Sequence, residues 1–317
     1  MSEPCGRNEE RSQLNAADRA PYRLAWPATI REAWVQASSF LAENGVDDAA
    51  HHAELLLRHV LGMERVAYLV ALTELMPEDA IHAFESAVTR RSAGEPTQYI
   101  IGDAYFYGLP FEVTSDVLIP RPETELLVEA ILTEADRIWS QDESLHVVDI
   151  GTGSGAIACT LAHERPHWHI TAGDISPAAL AVAKRNAGRL GVAEQMSWKQ
   201  GDLLAPFAGS ELDILVSNPP YIPAGDIADL MREVRDYEPR TALDGGADGL
   251  DPYRRLVTML SELGKAPRMI GFEVGQGQAQ DVAAMLAQAG YDEKLIIVPD
   301  LAGIERHVIG VRHLGGI

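Results

Sequence analysis

Val147-Val148-Asp149-Ile150-Gly151-Thr152-Gly153-Ser154-Gly155-Ala156-Ile157 is an apolar run that breaks into three alternating glycines and resumes as a helical pattern. It predicts a buried strand, a tight turn and a helix. Glycine allows the tight turn and lets a ligand approach the backbone closely. Taken alone, Gly151-x-Gly153-x-x-Ala156 also fits the looser dinucleotide fingerprint. Asp149, at the strand's end, separates the two readings. A carboxylate there repels a pyrophosphate and suits a ligand that carries positive charge.

Strand and helix patterns alternate around this turn. A helix is expected from Leu126 to about Trp139. Strands are expected at His146–Ile150, His169–Asp174, Met196–Lys199, Asp213–Ser217, Arg268–Val274, Leu295–Val298 and His307–Val311. The alternation predicts an α/β, Rossmann-like sheet, mostly parallel, with helices on both faces. Only residues 299–305 separate the last two strands, too few for a helical crossover. Those strands are expected to pair antiparallel or to lie apart, with the last strand reversed.

The other strand ends carry further carboxylates. Asp174 follows Gly151 by 23 residues, and its two oxygens can accept both hydroxyls of a ribose in either cofactor reading. Asp202, in Gly201-Asp202-Leu203-Leu204, is placed to contact an adenine with Leu203 packing nearby; an Asp there also serves as a turn residue or helix cap. Three strand-end carboxylates and a glycine turn favour a ligand with an ammonium and a sulfonium, which describes S-adenosylmethionine. The expected cofactor-binding set is Asp149, Gly151, Thr152, Gly153, Ser154, Gly155, Asp174, Ile175, Asp202 and Leu203, with Asn218.

A second stretch, Val216-Ser217-Asn218-Pro219-Pro220-Tyr221, closes another apolar run. Asn218 and Pro219 each precede a proline, so both are confined to extended geometry. Stiff backbone carbonyls, the Asn218 side-chain carbonyl and the Tyr221 ring can together accept two hydrogen bonds from a planar –NH2 and pack against its face. A Pro-Pro turn leaving a strand is the plainer reading.

The remaining chain sets limits. At 317 residues it is long enough for two domains. A net charge of −21 argues against broad nucleic-acid binding, which needs Lys and Arg opposite phosphates. Cys5 and Cys159 are too few and too far apart for a metal site or a disulfide framework, and Cys159 falls in an apolar helical pattern. No apolar run reaches the ~18 residues of a membrane span, and the acidic N-terminus lacks a signal-peptide core, so a cytoplasmic protein is expected. Residues 1–26 read as a flexible tail. Residues 27–93 read as a helical bundle, with Asp47 or Asp48 capping its second helix and His51, His52, Arg90 and Arg91 on solvated faces. Residues 94–122, with Tyr99-Ile100-Ile101, Phe106-Tyr107 and Leu109 to Val113, read as a β-hairpin linker, and residues 123–317 as the α/β domain. Leu118-Ile119-Pro120-Arg121-Pro122-Glu123-Thr124-Glu125 opens a helix and holds Arg121 between two prolines.

These stretches, with Tyr237-Glu238-Pro239-Arg240, Leu243-Asp244-Gly245-Gly246, Asp248-Gly249 and Glu273-Val274-Gly275, resemble the class I methyltransferases. Within them the chain is similar to the peptide-chain release factor glutamine N5-methyltransferases, the PrmC or HemK family. The resemblance runs from about Gly94 to the C-terminus, and the helical segment has the size and place of that family's small, release-factor-recognising domain. Asn218 to Tyr221 alone is less specific, because enzymes methylating adenine N6 or a ribosomal-protein glutamine look alike there. Arg121 to Glu125 differs from the ribosomal-protein enzymes. No motif position departs from the family pattern, although the N-terminal tail is longer.

The resemblance implies S-adenosylmethionine as cofactor and, as substrate, the glutamine of the Gly-Gly-Gln motif in class 1 release factors. Asn218 Oδ1 and the Pro219 carbonyl would accept the two amide hydrogens and aim the nitrogen at the methyl carbon. Both would also favour positive charge developing on nitrogen. Tyr221 would wall the pocket beside Pro220, and Arg121 and Glu123 would shape its mouth. No strong general base is needed if the proton leaves after transfer. Glu273 is expected to tie neighbouring loops. No metal, membrane or direct nucleic-acid partner is expected, and the protein is expected to be a monomer. The rivals are an adenine N6-methyltransferase, a non-catalytic cofactor-binding module and an NAD dehydrogenase.

Overall fold

The computed structural model describes residues 20–313. They divide into one unit ending at Ile101 and another beginning at Gly102. The division falls later than the expected boundary at Gly94, because the chain stays helical beyond it.

The first unit contains α1 (Ile30–Glu43), α2 (Ala49–Leu61), α3 (Arg65–Ala71), α4 (Glu78–Ser92) and α5 (Thr97–Ile101). Thr29 starts α1 through a reciprocal pair: its hydroxyl accepts from the Glu32 N–H, and the Glu32 carboxylate accepts from the Thr29 N–H. Gly62 ends α2 in the left-handed conformation. Apolar residues at helical spacing, among them Ile30, Ala37, Leu41, Leu56, Leu57, Phe84 and Val88, form one core.

Several expectations change here. Asp48 takes the N-cap position of α2, but its side chain makes no capping bond; its backbone carbonyl accepts from His51 and His52 instead. Tyr99-Ile100-Ile101 is helical rather than extended, because the Pro96 carbonyl accepts from the Tyr99 and Ile100 N–H groups and local bonding overrides strand propensity. The tail expected over residues 1–26 lies outside the described residues up to 19, while Tyr22 and Leu24 are buried. The Tyr22 ring sits 5.2 Å from Phe40 and 5.9 Å from Phe84, and the Leu24 N–H donates to Glu85 at 2.9 Å. His52 is half-buried with Nδ1 2.8 Å from Thr97 Oγ1, and burial together with Arg91 pushes its pKa down to about 4. Arg91 is itself buried, and Arg90 pairs with Glu95.

The second unit opens with a hairpin of β1 (Asp103–Phe106) and β2 (Leu109–Glu112), turned by Tyr107 and Gly108, both at positive φ. α6 (Pro122–Ile138) follows, then β3 (His146–Ile150), α7 (Ala156–Glu164), β4 (His169–Asp174), α8 (Pro177–Arg189), β5 (Met196–Gln200) and β6 (Ile214–Ser217). The chain continues through α9 (Arg232–Tyr237), α10 (Asp251–Met259), β7 (Met269–Glu273), α11 (Ala279–Gln288), β8 (Lys294–Pro299) and β9 (Glu305–Val311). Among the described residues seven strands form one sheet in the order β5-β4-β3-β6-β7-β9-β8. β9 runs antiparallel to both neighbours, as its short connection requires, and the other neighbouring strands of this sheet pair in parallel.

Alternate side chains on each central strand enter different cores. Val147, Ile214, Val216 and Met269 pack with α6 and α7, whereas Val148, Leu215, Ile270 and Phe272 pack with α10 and α11. Both faces are covered, which is why these strands read as continuous apolar runs. Among the described residues no helix is long and apolar enough to cross a membrane.

Candidate active site

The sheet reverses its direction of growth between β3 and β6: β4 and β5 extend one side, β7 the other. Ligands of open α/β sheets bind outside the strands' carboxyl ends at such a reversal. A cavity of about 640 Å³ lies there, lined by Ile150 at the end of β3 and Gly151 beyond it, Asp174 at the end of β4, Asp202 after β5 and Asn218 after β6. Four strand ends far apart in sequence thus meet at one hollow.

The glycine turn is built by the backbone. The N–H groups of Gly151 and Thr152 donate to Gly173 O at 2.8 and 3.0 Å, and the Gly153 N–H donates to Asp174 Oδ2 at 2.9 Å. The other Asp174 oxygen accepts from the Ser176 N–H at 2.9 Å. The turn's amide is therefore committed to a carboxylate, a poor arrangement for a pyrophosphate. Gly151, Gly153, Asp174, Ile175, Asp202 and Leu203 line the cavity. Thr152 and Ser154 are buried, and neither they nor Gly155 line it.

Asp149 is placed differently from expectation. It is 1% exposed, lies beneath the turn and does not line the cavity. One oxygen accepts from the Thr152 hydroxyl at 2.6 Å; the other is buried and bonds nothing among the described residues. Burial pushes its pKa up to about 7, with Asp174 adding in the same direction. Asp202 also differs, because Arg255 of α10 donates to its carboxylate at 2.5 Å. Leu203, next to it, holds a left-handed φ of 49°, unusual for a branched side chain and fixed here at the cavity wall. The lining carries five carboxylates (Asp116, Asp174, Asp202, Asp244 and Asp251) against two guanidinium groups, Arg240 and Arg255. Such a wall fits a ligand with positive charge.

Asn218 stands in this cavity and also in a smaller one of about 70 Å³, lined further by Arg121, Tyr221, Val234 and Leu243. Its Nδ2 donates to Thr124 Oγ1 at 3.3 Å, and the Thr124 hydroxyl donates to Glu273 Oε2 at 2.6 Å. Pro220 lines the larger cavity and Tyr221 the smaller; Pro219 is buried and lines neither. The Tyr221 phenol is pushed up to about 12 by burial and, next, by Glu273, so it stays protonated near neutrality. Residues 220–222 are locked from below. The Ile222 N–H donates to Leu243 O, the Gly245 N–H donates to Ile222 O, and Gln278 Nε2 donates to Tyr221 O at 3.0 Å. Gly249, at φ 77°, passes so close that an added Cβ would meet Tyr221 O at 2.2 Å.

Arg121 reaches Glu238 across a 2.5 Å ion pair. Glu123 is exposed on the first turn of α6 and lines neither cavity. Sequence reading missed Arg255 and gave no role to Thr124 or to the stretch 239–246, which walls the larger cavity except at Leu243, a residue of the smaller one. The 237–249 stretch did stand out as a family mark, but Arg255 carries no local signal.

The chain matches two family models: "PrmC N-terminal domain" over residues 32–102 and "Methyltransferase small domain" over residues 122–234. It is 44% identical over 287 residues to the release factor glutamine methyltransferase of Bacillus subtilis (strain 168), covering 90% of this chain and 98% of that protein. It is 43% identical over 284 residues to the protein of the same name from Moorella thermoacetica, covering 90% and 99%. Among solved structures, the hMettl16 catalytic domain in complex with MAT2A 3'UTR hairpin 6 superposes with a TM-score of 0.50. The identity there is 15%, over 77% of this chain and 87% of that one, and this likeness speaks to the fold alone.

Proposed function

This chain belongs to the release factor glutamine methyltransferases, and from that membership we propose that it methylates the side-chain amide nitrogen of the Gly-Gly-Gln glutamine in class 1 peptide-chain release factors. The observation that carries the reading is the position of Asn218 in the shared wall of two cavities. The larger is of cofactor size, and the smaller is narrow enough for a single side chain.

S-adenosylmethionine supplies a methyl group made electrophilic by its sulfonium. The acidic lining of the larger cavity suits it. Asp174 would take the ribose hydroxyls, Gly151 and Gly153 would lie along the amino-acid portion, and Asp202 with Leu203 would hold the adenine. Asp149 supports the turn from beneath rather than touching the ligand.

An amide nitrogen is a poor nucleophile because its lone pair is delocalised into the carbonyl. Asn218 Oδ1 accepts one of its hydrogens and the Pro219 carbonyl the other, which orients the nitrogen and favours the positive charge it gains. The protonated Tyr221 phenol walls the substrate pocket and does not serve as base. Arg121 borders the same pocket while held by Glu238.

The test is mass spectrometry of a purified class 1 release factor after incubation with this protein and S-adenosylmethionine. One methyl gained on the Gly-Gly-Gln glutamine, and none with Asn218→Ala, is the expected result. No gain from a protein that still binds the cofactor overturns the substrate assignment and directs the search to ribosomal protein, then to nucleic acid.

A further inference from the structure

Resting on the reading that Asn218 receives the substrate amide, we propose that Thr124 and Glu273 are positioning residues that decide which end of the Asn218 side chain faces the substrate. An Asn amide has two ends of nearly equal shape and opposite sense: the oxygen accepts and the –NH2 donates. A glutamine –NH2 needs acceptors. With its own –NH2 turned into the pocket, Asn218 would set donor against donor. Nothing within Asn218 makes the choice.

Thr124 makes it. Its hydroxyl has one hydrogen, and the Glu273 carboxylate, which accepts only, takes it at 2.6 Å. What Thr124 Oγ1 has left is lone pairs, so it binds the Asn218 end that donates, Nδ2 at 3.3 Å. Oδ1 is thereby turned away from Thr124. Water cannot easily re-pair these groups, because Thr124 is 4% and Glu273 2% exposed. Glu273 is itself anchored. It ends β7, the strand beside β6, and its backbone carbonyl accepts from the Tyr253 hydroxyl at 2.6 Å. His307 Nε2 approaches the same Oε2 only to 3.7 Å, beyond hydrogen-bond length, which leaves that oxygen to Thr124. Three residues separated by up to 149 positions thus form a one-way chain of donors that starts at the Asn218 –NH2 and ends on the Glu273 carboxylate.

The test compares the full-length wild type with Thr124→Val, Thr124→Ser, Glu273→Gln and the Thr124→Val/Glu273→Gln double variant. The readouts are kcat and KM for methyl transfer to a purified release factor, and the melting temperature of each protein. Valine keeps the shape of threonine without the hydroxyl. Thr124→Val is expected to lower kcat by about 10- to 100-fold, with the cofactor KM within about 2-fold. Thr124→Ser, which keeps the hydroxyl, is expected to stay within about 3-fold of wild type. Glu273→Gln can donate to Thr124, reverse the chain and turn the Asn218 –NH2 outward, so it too is expected to lower kcat. Because the two act as a unit, the double variant is expected to be no slower than Thr124→Val.

Wild-type kcat in Thr124→Val, equal losses in Thr124→Ser and Thr124→Val, or losses that multiply in the double variant would each overturn the relay. If Thr124→Val does not fold, Glu273→Gln is judged on the same split between kcat and KM. Failure of the underlying reading looks different. There the wild type binds cofactor but leaves the release factor unmodified, whereas failure of the relay alone leaves wild type active, Asn218→Ala inactive and Thr124→Val active.

Discussion

Arg121 and Glu238, 117 residues apart in the chain, meet through an ion pair of 2.5 Å. The pair joins the N-cap of α6 to the C-cap of α9, and so ties two of the stretches that mark the family. The Glu238 side chain is 1% exposed and the Arg121 side chain 31%. Burial raises the Glu238 pKa, and the Arg121 guanidinium opposes that rise. Removing Arg121 would strand a buried carboxylate. Arg121→Ala is expected to destabilise the fold by about 1–3 kcal/mol in urea unfolding, less than a fully buried pair because Arg121 remains partly in water. Glu238→Gln is expected to cost less, since it removes the charge that needs a partner. Equal costs in the two variants would mean that packing rather than charge holds this corner.

Asn218→Ala is expected to slow methyl transfer by about 10²–10³-fold, the scale for losing one preorganised hydrogen-bonding group at a reacting centre. Cofactor affinity is expected to change much less, because Asn218 is one of many groups in the larger cavity. Single-turnover transfer set against calorimetric cofactor binding separates the two. Parallel losses would mean that Asn218 holds the cofactor rather than the substrate.

The fold was legible because its central strands, β3, β4, β6 and β7, are buried on both faces and so read as apolar runs. The glycine turn after Val147 to Ile150, and the reversal forced by the short 299–305 connection, were both readable from single segments. That Asp174 and Asn218 would stand at strand ends was readable because each is a polar residue closing an apolar run; that both line one cavity follows only from the sheet order. Asp149 was misplaced for a geometric reason. The pleat alternates side chains, and at Asp149 it points the carboxylate beneath the turn. Arg255 and Thr124 were silent because their roles arise only when α10 meets the end of β5, and when α6 meets β6 and β7. Tyr99 to Ile101 failed as a strand because the carbonyl of Pro96, three residues before Tyr99, takes the Tyr99 and Ile100 amides.

Gly249 packs directly against the backbone of the loop after β6 at Tyr221. Its φ of 77° strains any other residue, and an added Cβ would lie 2.2 Å from Tyr221 O and 2.4 Å from Gln278 Nε2. Gly249→Ala must therefore push apart the bond by which Gln278 holds the Tyr221 backbone. The expected cost is about 1–3 kcal/mol of stability, with a fall in kcat at temperatures where the variant is fully folded. Normal kcat in a destabilised variant would show that the Tyr221 backbone can shift without disturbing the substrate pocket.

Asp149 makes stability depend on pH in a direction opposite to that of most carboxylates. Its folded pKa of about 7 stands above the ordinary value of 3.8, because burial disfavours the charged form. Between those values the folded state keeps a proton that the unfolded chain has released. Stability is therefore full below the ordinary value and is lost as the pH rises through about 7. Asp149→Asn stays neutral throughout. Its oxygen can keep the Thr152 hydroxyl, and its –NH2 takes the place of an oxygen that already lacks a partner. The variant is expected to exceed wild type in stability at pH 8, with the gap shrinking steadily towards pH 5. Asp174, whose pKa burial also raises, slopes both curves the same way and so leaves the sign of their difference intact. Denaturant unfolding of both proteins from pH 5 to pH 8 provides the measurement. A gap that widens towards pH 5 would mean that the Asp149 carboxylate is stabilised in its charged form, and that the unpartnered oxygen finds a donor in solution.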